Sequence, residues 1–219
     1  MLDTRFPRLP GDIGHPDAFG VPVRQRVVPG AGPGKIVQTA AGLRAAGVGP
    51  AFVQAVKALA DEGALAITTS CGFLVLLQDE LQAATVVPVV TSSLLLLPGL
   101  LAHQRKVGVL TISSAALGPD HLLAAAVPQE RLQDVLVQGV DPAGEFAAAI
   151  LGNRETMDVE KARSDVVAAA LALKQREPSL REVVLECTNL PPYRQAVEAA
   201  TGLKTWALTD DARLLRPWR

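Results

Sequence analysis

The 219-residue chain has two cysteines, one tyrosine, two tryptophans and three histidines, and these scarcities narrow what it can do. Cys71 and Cys187 are not a C-x-x-C pair, and His15, His103 and His121 are scattered, so no zinc-ligand spacing is present. Lys and Arg number 21 against 22 Asp and Glu, a net charge of −1. No basic block is present to attract a nucleic-acid backbone or an anionic membrane, and neither partner is expected. The Leu94–Leu97 run is followed by Pro98-Gly99 and is far too short to span a bilayer. Met1 to Arg5 lead into Pro7 and Gly11 rather than an apolar export segment. The expected compartment is therefore the reducing cytoplasm, with the cysteines as free thiols rather than a disulfide.

Hydrophobic residues make up 49% of the chain, enough for a substantial core. The first thirty residues are broken by Pro7, Pro10-Gly11, Gly14, Pro16, Gly20 and Pro22, with one short strand expected at 23–28. Pro29 to Lys35 is glycine-rich, but it is one residue short of a phosphate loop and has Ile36 where a metal-binding hydroxyl is needed. Helical spacing covers 50–62, 72–84, 142–151, 158–174 and 191–201, with helices also expected after Ser92-Ser93 and Ser113-Ser114 and at 210–215. Strands are expected at 64–69, 86–91, 107–112, 134–140, 182–186 and 204–208, with Pro88 marking an edge or irregular position. Strands that alternate with helices predict an α/β fold of parallel sheets. The expected organisation is two pseudo-symmetric Rossmann-like halves, 1–98 and 99–219, meeting near 92–106 around a cleft.

The two cysteines occupy matching places in these halves. Each stands where an apolar strand gives way to a helix: Thr68-Thr69-Ser70-Cys71-Gly72-Phe73-Leu74 and Leu185-Glu186-Cys187-Thr188-Asn189-Leu190. A helix N-terminus offers unpaired N–H groups that bind anions and lower a thiol's pKa. The crevice at the carboxyl ends of parallel strands is also where ligands bind in open α/β sheets.

With Ile67–Leu74, Leu185–Tyr193 and Phe6–Gly14 taken together, the chain resembles the aspartate/glutamate racemase superfamily. That superfamily also holds hydantoin racemases and related isomerases and decarboxylases. The resemblance implies a racemase or epimerase that uses neither cofactor nor metal on a small molecule bearing a carboxylate. Cys71 and Cys187 would take a proton from one face of the α-carbon and return one to the other. Ser70, Gly72, Thr188 and Asn189 would hold the carboxylate, with Thr91 and Ser92 in the same pocket. Either Asp3-Thr4 or Asp12 would supply the acidic residue the family places near its first cysteine. Arg5 and Arg8 reach a carboxylate if the N-terminal loop folds over the cleft, and Tyr193 is a candidate pocket wall. Such folds often pair through Leu-rich helices, so a homodimer is also an expectation.

Three positions depart from the family. The strand expected before Asp3 is nearly absent, which predicts a late start. Asn189 stands where glutamate racemases often carry histidine, and an amide cannot exchange protons at neutral pH. Trp206-Ala207-Leu208-Thr209 replaces an expected proline and acidic residue. Two other readings stay open: an isomerase or decarboxylase of a small dicarboxylic acid, and a ligand-binding module without turnover.

Overall fold

The computed structural model describes residues 1–215. Six strands form two parallel sheets: β1 (Ile67–Thr68) with β2 (Val89–Val90), and a four-stranded sheet in the order β4-β3-β5-β6. In the latter, β3 is Val107–Thr111, β4 Val135–Gly139, β5 Glu182–Leu185 and β6 Lys204–Trp206. All five residues of β3 are buried, as a central parallel strand covered on both faces requires. Gly108 is the small residue that lets Leu173 and Leu180 press onto that strand, since a Cβ there would stand 2.8 and 2.9 Å from their methyl groups.

The helix Val159–Arg176 covers the larger sheet. Asp158 caps it by accepting from the Lys161 N–H at 3.1 Å, and Ala162, Val166, Ala170 and Leu173 are its fully buried positions. The helix Gly49–Asp61 turns Phe52 and Val56 inward at the matching helical spacing. Among the described residues no helix is long and apolar enough to cross a membrane.

Several local expectations change. Residues 23–28 have no regular structure and join no sheet, and the strands at 64–69 and 86–91 shrink to two residues each. Val23 and Gln25 instead wall a cavity of about 380 Å³ along β1. The helix after Cys71 begins as a 3-10 segment, Gly72–Leu77, before Gln78–Ala83 becomes α-helical. Ser113 starts no helix. The next one, Pro119–Ala124, begins only after Gly118, where proline suits the first turn. Likewise Glu145–Leu151 starts after Gly144 rather than at Asp141-Pro142. Pro88 precedes β2, which pairs only with β1 and so is an edge strand.

Candidate active site

The carboxyl ends of β1 and β5 face each other. Thr188 Oγ1 donates to the Ser70 carbonyl at 2.8 Å, and Ser93 Oγ donates to the Leu185 carbonyl at 2.8 Å. These bonds tie the segments after β1 and β2 to the segment carrying Cys187. Both cysteines are free, and each is only 7% exposed. They share a cavity of about 20 Å³, room for about one water. Ser70, Gly72, Thr188 and Asn189 line it with them, and Leu2, Phe6, Pro33, Val37, Ile112 and Ile150 supply apolar walls. A substrate enters only if this cover, largely N-terminal, moves.

The N-terminal loop carries the polar support. Asp12 is buried and accepts from Arg8 Nη1 at 3.0 Å, from the Gly14 N–H at 2.6 Å and from Asn189 Nδ2. Asn189 is thereby turned so that its Oδ1 accepts from Cys187 Sγ at 3.5 Å. The sequence leaves Asp3-Thr4 and Asp12 as alternatives near the first cysteine; Asp12 instead reaches the second, Cys187, through Asn189. Asp3 is exposed and accepts from the Gly30 N–H, while Thr4 accepts from Arg8 Nη2 at 2.8 Å; neither lines the cavity. Thr91 donates to Gln78 Oε1 and Ser92 caps the Ser93–Leu96 turn, so both hydroxyls are spent on local structure outside the cavity. Arg5 lies on the surface beside Glu155. Tyr193 is buried edge-on against Phe146 rather than in the cavity wall.

Sequence reasoning misses one acidic residue. Glu186 is fully buried between the two thiols' loops and lines their cavity. Its Oε2 accepts from Thr111 Oγ1 at 2.7 Å, while Oε1 has no hydrogen-bond partner. A Cβ on Gly72 would lie 2.3 Å from that oxygen, so glycine beside Cys71 is what makes room for the carboxyl. The signal in the sequence is an acid ending the otherwise apolar run Val183-Val184-Leu185.

Burial governs the ionisation here. Desolvation raises the Glu186 carboxyl to about 8, against a smaller downward effect of the Thr111 hydrogen bond. Desolvation and then the charge of Glu186 push Cys71 up to about 12, and they also raise Cys187 well above its ordinary value. The expectation that helix N-termini would hold these thiols as thiolates is therefore corrected for the closed cleft. Single N–H groups, from Phe73 for Cys71 and Asn189 for Cys187, do lower the pKa, but by less than burial raises it.

The model of the family described as Asp/Glu/Hydantoin racemase matches residues 31–210. The chain is 36% identical over 212 residues to a dimethylsulfoniopropionate lyase of Durusdinium sp. clade D, an alignment covering 94% of this chain and 68% of that protein. It is 34% identical over 215 residues to dimethylsulfoniopropionate lyase 7 of Emiliania huxleyi, covering 92% of this chain and 60% of the relative. The chain thus spans only part of these longer relatives. A substituted arylmalonate decarboxylase in its liganded form superposes with a TM-score of 0.57 at 19% identity, over 94% of this chain and 84% of the other, a likeness of fold.

Proposed function

Because the chain belongs to the Asp/Glu/hydantoin racemase family, we propose that its two thiols act at the carbon next to a carboxylate, and that the reaction is a β-elimination from dimethylsulfoniopropionate or a close sulfonium analogue. The observation that carries the α-proton chemistry is the pair of buried thiols, one from each sheet's carboxyl end, lining one cavity with apolar walls. The preference for elimination over inversion rests on the lyase relatives.

The chemistry balances without a further reactant. One cysteine, as thiolate, takes the α-proton. The electron pair forms the carbon–carbon double bond as the bond to sulfur breaks, giving acrylate, neutral dimethyl sulfide and a thiol. With the bond to sulfur breaking as the proton leaves, the site does not have to hold a full carbanion beside a carboxylate. The substrate's cation favours thiolate formation in the same low-dielectric cleft, because an opposite charge nearby lowers a thiol's pKa. A thiol with a high intrinsic pKa is also a strong base once ionised. The second thiol, rather than the Thr188 hydroxyl already donated to the Ser70 carbonyl, supplies a hydrogen bond to the carboxylate as charge builds there.

Inversion of aspartate, glutamate or a hydantoin is the second reading, and the two-thiol arrangement itself favours it, since stereoinversion needs a proton donor and acceptor on opposite faces. The experiment is headspace analysis of dimethyl sulfide with dimethylsulfoniopropionate, run beside chiral analysis of those amino acids and a hydantoin. Dimethyl sulfide released by the wild type and lost in Cys71→Ser and Cys187→Ser supports the lyase. Inversion without dimethyl sulfide replaces it with the racemase.

A further inference from the structure

Glu186 is the one carboxyl group among the described residues lining the thiol cavity, and the α-proton chemistry above gives it no part. The geometry points to Glu186 as the counter-ion for a positively charged group on the substrate, the feature that selects a cationic β-substituent over a neutral one of the same shape.

Four observations support this. Glu186 is fully buried, so it serves no solvated surface. Its Oε1 has no donor, although its Oε2 is held by Thr111. Such an orphaned acceptor is costly unless a partner arrives. A sulfonium has no N–H or O–H to donate and meets a carboxylate through charge alone, so an oxygen left free of donors suits it. Asp12, the nearby alternative, is already occupied by Arg8, Gly14 and Asn189. The room for Glu186 comes from Gly72, so the carboxyl reaches the backbone beside Cys71 while its own chain neighbour is Cys187. A cation held there lies next to both thiols. Glu186 is largely neutral in the closed cleft, facing Cys71, Cys187 and the Thr111 hydroxyl, with the Arg8–Asp12 pair behind Asn189. A bound cation favours its ionised form, and by offsetting that charge it keeps Glu186 from holding the thiols protonated.

This inference rests on the reading of the cleft as a carboxylate site, and the test separates the two. Binding of trimethylammonio-propionate and of its neutral carbon isostere, propionate bearing a tert-butyl group in the same place, is measured by calorimetry on the full chain and on Glu186→Gln, with dimethylsulfoniopropionate turnover measured alongside. Wild type is expected to bind the cation at least about tenfold more tightly than the isostere. In Glu186→Gln that preference falls to near one through loss of the cation alone. A wild type indifferent to charge overturns the counter-ion role, and it does so even if the variant fails to fold. Turnover with the charge preference intact in Glu186→Gln also overturns it, while leaving the lyase reading standing. Neither binding nor turnover removes both.

Discussion

At the scale of single residues, the two thiols are held by different neighbours, and the differences can be tested. Cys187 donates its S–H to Asn189, which is oriented by Asp12, which is in turn held by Arg8. Replacing Asp12 with alanine leaves the Arg8 charge, whose side chain is 14% exposed, without its carboxylate, at a cost of about 3 kcal/mol in urea unfolding. The more conservative Asp12→Asn keeps the volume but upsets the amide orientation. It is expected to lower kcat about tenfold or more with an unchanged count of titratable thiols, read by steady-state kinetics and thiol labelling. The cysteines and their hydroxyl and amide neighbours were legible in the sequence because reactive side chains recur at matching strand ends. Glu186 was not, because a lone acid at a strand end gives no sign of whether it turns to solvent or into a cleft. Thr91 and Ser92 show the opposite limit: their hydroxyls lie at a strand end too, but Gln78 and a helix cap claim them.

At the scale of elements, the turn from β1 into the 72–77 helix is the tightest constraint on the site. Alanine at Gly72 would place a methyl 2.3 Å from Glu186 Oε1 and 2.4 Å from the Glu186 carbonyl, so a backbone segment must shift. We expect Gly72→Ala to cost more than about 2 kcal/mol and to abolish turnover, read by thermal unfolding and activity. Gly99, inside the Leu97–Leu101 helix, gives the contrast, since an added methyl there would meet nothing within 4 Å. Gly99→Ala should stabilise by about 0.5–1 kcal/mol and leave activity unchanged. From residue 50 onward, strand and helix order was readable from hydrophobic period, whereas the helices Pro33–Ile36 and Ala40–Ala46 were not. Element ends were less so: Ser113-Ser114 and Asp141-Pro142 look like helix starts, yet Gly118-Pro119 and Gly144 provide the breaks that decide where those helices begin. The strands of the first half pair over two residues only, Ile67 with Val89 and Thr68 with Val90.

At the scale of the whole molecule, a buried neutral acid leaves a signature in stability against pH. The Glu186 carboxyl sits at about 8 when folded and near 4.5 when exposed, so between these values the folded chain holds the extra proton. Stability from this group is therefore full below about pH 4.5 and is lost as pH rises toward 8, up to about 4 kcal/mol. His121 and the Met1 amino group, both with lowered pKa values, titrate in the same range with the opposite sign. They cancel when Glu186→Gln is subtracted from wild type. The stability difference between the two proteins is expected to fall steadily from about pH 5 to about pH 8 in denaturant titrations, and a flat difference means that the carboxyl is solvated. The parallel α/β architecture was legible in the alternation of elements, whereas the unequal sheets, two strands against four, depend on pairing that no local pattern encodes.

The most direct test of the central claim is proton NMR of dimethylsulfoniopropionate in heavy water with the wild type, Cys71→Ser and Cys187→Ser. The account predicts vinyl signals of acrylate and free dimethyl sulfide with the wild type, and a loss of at least about a thousandfold in each serine variant. No acrylate from a folded wild type, or acrylate formed equally fast without either thiol, contradicts it.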